Sequence, residues 1–176
     1  LGWSLGGMLA LDFAAPYPEK QMHLALVASN PKFVASADWP HAMTSEVLDG
    51  FAQALAADHA ATLNRFLGLV ARGAPDSGVL RALRDAMQAA PAPTVGALGA
   101  GLEILRTADL RGHLGALDMP VLWLAGTRDT LVPVAALRAL VEAHPHQRLH
   151  EFAQAGHAPF VSHPQAYTAA LTAFLQ

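Results

Sequence analysis

Hydrophobic and polar positions along this chain form blocks that predict strands and helices in alternation. The apolar runs at residues 22–28 and 120–125 carry no charge and are typical of buried parallel strands; a third strand is expected at 148–153. Helices are predicted at three further places, residues 5–15, 134–143 and 164–175. Short strands alternating with helices favour an α/β fold with a mostly parallel sheet and crossover helices.

Residues 44–107 have a different pattern. They are rich in Ala and Leu, and apolar side chains recur at helical spacing, as at Val47, Phe51 and Leu55. About four helices are predicted here. Because this segment interrupts the alternation, we expect a core made of residues 1–43 and 108–176, with residues 44–107 inserted as a helical lid.

Composition narrows the class of protein. Of the 176 residues, 53% are hydrophobic and 14% are charged, so we expect much of the chain to be buried. No apolar run reaches the roughly 18 residues of a membrane span. A net charge of −3 gives no sign of a nucleic-acid or membrane-surface partner. The absence of cysteine excludes disulfides and thiolate chemistry and fits a reducing compartment, so we expect a cytoplasmic protein.

Three residues have the types and order that nucleophilic catalysis requires. Ser4 lies in a G-x-S-x-G pattern, Asp129 follows the predicted strand at 120–125, and His157 follows the one at 148–153. Loops at the carboxyl ends of parallel strands are where such sheets build sites. We therefore predict Ser4 as nucleophile, His157 as general base and then acid, and Asp129 as the group that orients His157.

Each residue also has a structural interpretation. A single G-x-S-x-G pattern is a weak signal, Asp129 fits a helix cap or turn, and His157 fits an ordinary loop histidine. The conjunction of three residue types in the right order, with Asp129 and His157 each after a predicted strand, favours catalysis. No histidine pair has the pattern expected of a metal site, so no metal is predicted.

At these residues the chain resembles the α/β-hydrolase superfamily, and within it the family of pimeloyl-[acyl-carrier protein] methyl ester esterases of biotin synthesis. The resemblance covers essentially the whole chain. Its most telling parts are GLEILRTADLR and GHAPFVSHP; the other matching stretches are residues 1–7, 28–40 and 65–69 and the LVP after Asp129.

The resemblance implies a serine carboxylesterase that releases methanol from its substrate and needs no cofactor. Residues 44–107 would cover the acyl chain, and Trp3, Phe66, Leu67 and Leu69 would contact it. The backbone N–H of Leu5 would donate to the oxyanion.

The resemblance also implies a partner, an acidic acyl-carrier protein that bears the substrate. Arg65, Arg81 and Arg84 would meet it, although solvated helix charge explains them equally well. Ala61 stands where the family has a further basic residue, and the loop near Gly78 is one residue short. Neither nucleic acid nor membrane is implied, and the complete protein is expected to be a monomer.

Only three residues precede Ser4, too few for the strand and oxyanion loop that the family places there. We therefore expect a longer hydrolase with further N-terminal strands, and we expect the 176 residues alone to be poorly folded or nearly inactive. Losing one oxyanion donor typically costs about 10²- to 10³-fold in rate.

Two other functions stay open on the residues alone. One is a broad-specificity short-chain carboxylesterase with the same triad. The other is a non-catalytic hydrolase-fold protein that binds a ligand or partner.

Overall fold

A four-stranded parallel sheet forms the centre of the protein. The computed structural model describes residues 1–17, 23–71, 78–91 and 93–176. The strands lie side by side in chain order: β1 (Gly2–Trp3), β2 (Leu24–Val27), β3 (Val121–Gly126) and β4 (Arg148–Phe152). All three pairings are parallel, as predicted, with Leu26 opposite Gly2 on one side and Trp123 on the other. Met22, at the start of a predicted strand, lies outside the described residues.

Helices fill the connections between these strands. They are α1 (Leu5–Ala14), α2 (Ser45–Ala57), α3 (His59–Val70), α4 (Gly78–Ala89), α5 (Val95–Thr107), α6 (Val134–Ala143), α7 (Pro159–Ser162) and α8 (Pro164–Leu175), with a 3₁₀ helix at Arg111–Ala116. Across the described ranges no helix has the length and apolar character needed to cross a membrane. The sequence did not predict α7 or the 3₁₀ helix, because four to six residues are too few to display a periodicity.

In the described part of residues 44–107 the helices are α2 to α5, in agreement with the roughly four expected from the periodicity. Local capping supports two of their starts. The carboxylate of Asp58 accepts from the N–H of Ala61 at 3.0 Å, and the hydroxyl of Thr94 accepts from the N–H of Ala97 at 3.1 Å. The division into core and lid stays a prediction.

Alternate residues of the strands enter two different apolar cores. Leu26 and Trp123 pack with α1 and α6 on one face, whereas Val27, Leu124 and the α8 residue Phe174 pack on the other. Burial on both faces explains why β2 and β3 are apolar without alternation. The sheet is thus fixed on both sides, and the loops at its carboxyl edge are anchored to a rigid base.

Candidate active site

Ser4 occupies the sharp turn between β1 and α1. Its φ of 55° is unusual for a residue other than glycine and marks a strained backbone. Two backbone hydrogen bonds hold the turn: the Ser4 N–H donates to the Val27 carbonyl at 2.9 Å, and the Gly7 N–H donates to the Ser4 carbonyl at 2.9 Å. A strained strand-to-helix turn of this kind presents the serine hydroxyl at the carboxyl edge of the sheet.

The close backbone contacts at this turn involve Gly2 and Gly7. A Cβ on Gly2 would lie 2.2 Å from the Gly6 carbonyl oxygen, and one on Gly7 would lie 2.5 Å from the Cβ of Ser29. A Cβ on Gly6 meets nothing within 4 Å among the described residues. Crowding therefore explains the first glycine of the G-x-S-x-G pattern, Gly2, and not the second, Gly6, since α1 turns Gly7 toward β2 and leaves Gly6 exposed.

Asp129 and His157 form a buried pair. The His157 Nδ1 lies 2.7 Å from the Asp129 Oδ2, and both side chains are 1% exposed. The other carboxylate oxygen, Oδ1, accepts from the N–H groups of Leu131 at 2.8 Å and Val132 at 3.0 Å. Because a carboxylate only accepts, this arrangement assigns the proton to Nδ1 and leaves Nε2 with its lone pair. Within the described residues Nε2 has no hydrogen-bond partner, as a general base awaiting a proton requires.

Neighbouring strands bring these two loops together. The Arg128 N–H donates to the Ala155 carbonyl at 2.9 Å, and the Thr127 N–H donates to the Phe152 carbonyl at 3.0 Å. Gly126 permits this approach, because a Cβ there would lie 2.1 Å from the carbonyl oxygen of Gly156. The acid loop after β3 and the histidine loop after β4 are therefore in direct backbone contact.

Trp3 connects the histidine loop to the serine turn. Its indole N–H donates to the His157 carbonyl at 2.8 Å, and its ring centroid lies 5.6 Å from that of His157 and 5.2 Å from that of Phe160. Ser4 is the next residue, so the serine turn and the histidine loop meet at one edge of the sheet. The sequence assigned Trp3 to substrate contact and gave no signal for this bond, which joins residues 154 positions apart.

Leu5 is the first residue of α1. The first N–H groups of a helix have no acceptor within it and carry the positive end of the helix dipole. Its backbone N–H is therefore placed one residue after Ser4, the predicted nucleophile, where an oxyanion donor is expected. The Leu5 side chain lies against α5, with one methyl carbon 3.2 Å from the Cβ position of Gly101.

An apolar cavity of about 80 Å³ lies between the connections that follow β2 and β3 and helices α2, α3 and α5. Phe66 and Leu69, two of the residues predicted to contact substrate, line it, whereas Leu67 is buried in the main core and is not part of this lining. Contact with substrate stays a prediction. Leu131, two residues after Asp129, brings the cavity next to the acid loop. The sequence analysis assigned no substrate contact to the remaining lining residues, which are Phe33, Met43, Val47, Leu48, Phe51, Leu102, Leu105 and Leu131.

The three lid arginines are exposed and lie on α3 and α4. Arg65 donates to the hydroxyl of Thr62 at 3.0 Å, and Arg81 and Arg84 are one turn apart on α4. Across the described part of the chain no group of three or more His, Asp or Glu side chains is arranged to hold a metal ion. The arginines provide positive charge on one part of the surface, and a role in docking stays a prediction.

Two further polar residues, Ser29 and Asn30, lie at the carboxyl end of β2. Both are 1% exposed, and their side-chain polar atoms have no partner among the described residues. Ser29 packs against Gly7 at the start of α1, next to the nucleophile turn. Sequence reasoning missed both, since a Ser-Asn pair before a proline also fits an ordinary turn.

Comparisons with known proteins agree with this fold. A family model described as alpha/beta hydrolase fold matches residues 1–164, and the chain belongs to that family. The solved esterase from Exiguobacterium antarcticum superposes with a TM-score of 0.86 at 22% identity, over 98% of this chain and 64% of that one. At this identity the likeness supports the fold alone.

Two curated relatives are more similar in sequence. The chain is 42% identical over 176 residues to the pimeloyl-[acyl-carrier protein] methyl ester esterase of Xanthomonas campestris, covering 99% of this chain and 69% of that protein. It is 43% identical over 175 residues to the esterase of the same name from Stenotrophomonas maltophilia, covering 99% of this chain and 67% of that protein. The chain thus spans about two thirds of the length of its relatives and of the solved esterase.

Proposed function

We propose that this protein is a carboxylesterase that hydrolyses the methyl ester of pimeloyl-[acyl-carrier protein], giving methanol and the free carboxylate. The observation that carries the proposal is the buried Asp129–His157 pair joined through Trp3 to the Ser4 turn. The names of the curated relatives supply the substrate. A separation of 2.7 Å between His157 and Asp129 is that of a charge-assisted hydrogen bond, the type that holds a catalytic imidazole in place.

The chemistry is acyl transfer to serine and then to water. The Ser4 Oγ attacks the ester carbonyl while the Nε2 of His157 takes its proton, and the negative charge on the carbonyl oxygen faces the N–H of Leu5. His157 then returns the proton to the departing methoxide, which leaves as methanol. A water molecule, deprotonated by His157, cleaves the acyl-enzyme and regenerates Ser4.

The apolar cavity suits the methylene chain of the acyl group. Its lining carries no charged side chain, and an aliphatic chain that leaves water for such a cavity gains free energy. The ester carbonyl would lie near Ser4, with the chain running past Leu131 toward Phe66. A carrier protein that brings an acidic surface would meet the exposed arginines of α3 and α4.

The direct test uses the protein at its natural full length. Turnover of pimeloyl-carrier methyl ester is compared with turnover of free short esters, with Ser4→Ala as the control. We expect the carrier substrate to be strongly preferred. Equal efficiency on short free esters would support the broad-specificity carboxylesterase instead, and full biological activity of Ser4→Ala would support the non-catalytic alternative.

Fluorophosphonate labelling tests the nucleophile without a substrate. The probe reacts only with an activated serine, so we expect labelling at Ser4 in the full-length protein and none in Ser4→Ala or His157→Ala. Labelling at a different serine would overturn the assignment of Ser4.

A charge-reversal pair tests the docking surface. Arg81→Glu with Arg84→Glu is expected to raise KM for the carrier substrate and leave hydrolysis of free esters unchanged, because both side chains are exposed on α4. Arg148→Glu, an exposed arginine of β4, is the matched control. An equal loss in both variants would indicate a general charge effect and no docking site on α4.

A further inference from the structure

The two connections that lead into and out of the segment of helices α2 to α5 touch each other. The Leu110 N–H, after α5, donates to the carbonyl of Pro31, before α2, at 2.9 Å. The Lys32 Nζ lies 3.2 Å from the Asp109 Oδ2. The two ends of the helical segment therefore meet at one place beside the sheet.

Arg111 is the centre of this contact. Its Nε and Nη2 donate to the two carboxylate oxygens of Asp109 at 2.8 and 2.6 Å, and Nη2 also donates to the Asp38 Oδ2 at 2.9 Å. Its guanidinium lies 5.7 Å from the ring centroid of Trp39. This guanidinium holds the pKa of the Asp109 carboxyl well below its usual range, and it binds carboxylates from both connections at once.

The loop that Arg111 holds forms part of the cavity wall. The indole N–H of Trp39 donates to the Lys32 carbonyl at 2.8 Å, next to Phe33 in the chain. The Met43 N–H donates to the Phe33 carbonyl at 3.2 Å. Phe33 and Met43 both line the apolar cavity. The position of this wall therefore depends on a loop whose outer side is fixed by the Arg111 cluster.

We propose that Arg111 is a positioning residue for acyl-chain selectivity, because it fixes the loop of residues 31–43 against residues 108–111 and so holds Phe33 and Met43 in the cavity wall. The proposal rests on the proposed function in taking the cavity as the acyl site. Arg111 itself does not line the cavity, so its effect reaches the substrate through the loop. Charge alone does not suffice, since a lysine offers no planar fork to bind both oxygens of Asp109.

The test compares p-nitrophenyl hexanoate with p-nitrophenyl acetate on the full-length protein. In Arg111→Gln we expect KM for the hexanoate to rise about fivefold, equivalent to about 1 kcal/mol, a typical size for a partly exposed ion-pair cluster. Values of kcat on both esters and KM for the acetate should stay within about twofold, since the triad is untouched. The KM of Arg111→Lys for the hexanoate should lie between the values of the wild type and of Arg111→Gln.

Arg138→Gln is the matched control. Arg138 also makes a bidentate contact with a carboxylate, donating to the two oxygens of Glu151 at 2.8 and 2.5 Å. This contact joins α6 to β4 and involves no residue of the cavity lining. It should leave the ratio of the two KM values unchanged. A parallel loss on both esters in Arg111→Gln, or an unchanged hexanoate KM, would overturn the proposal. If Arg111→Gln does not fold, Asp38→Asn removes one arm of the cluster and is judged by the same ratio.

Hydrogen exchange gives a readout that does not depend on turnover. The amides of Ala35, Met43 and Leu110 should exchange faster in Arg111→Gln, while those of α8 keep their wild-type rates. Unchanged exchange at these three amides contradicts the proposal even if activity falls. The two proposals can also fail separately. If the wild-type protein does not hydrolyse pimeloyl-carrier methyl ester, but Arg111→Gln shows the expected changes in exchange and in KM, the proposed substrate is refuted and the role of Arg111 stands.

Discussion

Replacing Asp129 by Asn separates the two tasks of this carboxylate. The Oδ1 accepts from two backbone N–H groups, at 2.8 and 3.0 Å, so the amide oxygen of Asn occupies that position. The amide NH₂ must then face the Nδ1 of His157 across 2.7 Å. A donor facing Nδ1 requires that nitrogen to be the acceptor, which moves the imidazole proton to Nε2. With its proton on Nε2, the imidazole cannot take a proton from Ser4 through that nitrogen.

The expected loss is large in rate and small in stability. A histidine held in the wrong tautomer typically lowers kcat about 10⁴-fold, equivalent to about 5 kcal/mol in the activation barrier. Because the acid loop keeps its two backbone hydrogen bonds to the side chain at position 129, the melting temperature should change little. KM should also change little, since Asp129 does not line the cavity.

Steady-state hydrolysis of p-nitrophenyl butyrate and the rate of fluorophosphonate labelling measure the effect, and thermal melting reports on folding. Asp118→Asn, an exposed aspartate before β3, is the control and should behave as wild type. Asp129→Ala should lose both activity and melting temperature, because it leaves the two N–H donors unpaired. An Asp129→Asn protein that retains more than a tenth of wild-type kcat would refute the assigned role of Asp129.

Three further perturbations follow from particular contacts. Gly126→Ala places a Cβ 2.1 Å from the Gly156 carbonyl oxygen and should lower both melting temperature and kcat, because it forces apart the loops after β3 and β4. The control Gly112→Ala places a Cβ with nothing within 4 Å and should keep wild-type kcat. Equal behaviour of the two variants would contradict the crowding argument. Phe66→Ala enlarges the cavity and should reduce kcat/KM on hexanoyl esters about tenfold with little change on acetyl esters, while a uniform loss would show that Phe66 serves folding alone. Asp109→Asn tests stability against pH: because Arg111 depresses the pKa of Asp109 below its ordinary 3.8, the stabilisation is present above that value and is lost as the pH falls through the lower folded pKa. The difference in melting temperature between wild type and this variant should therefore be constant above about pH 5 and shrink below about pH 4, and a difference that grows on acidification would contradict it.

Particular residues show where sequence reasoning was sufficient. The uncharged runs before Ala28 and Gly126 identified β2 and β3, because strands covered on both faces need apolar residues at every position. The order of Ser4, Asp129 and His157 identified the candidate site, since each follows a strand and parallel strands end at the same edge.

Other features had no local signal. Three of them depend on residues far apart in the chain: the crowding of Gly7 by Ser29, the Trp3–His157 hydrogen bond and the Arg111 cluster. The cavity wall at Phe33 and Met43 is equally non-local, because both residues lie outside the strands and helices that the sequence pattern predicts. Short-range periodicity carries no information on such contacts.

The sequence by itself determined the alternation of strands and helices, the apolar helical segment and the chemistry of the candidate triad. These are properties of residue type and spacing, which local backbone preference and burial convert directly into structure. Only the tertiary structure decided which oxygen of Asp129 meets His157, which glycine is crowded, and how the ends of the helical segment are held together. Those outcomes depend on packing of distant segments to within about 1 Å, because interiors are close-packed and hydrogen bonds tolerate little displacement.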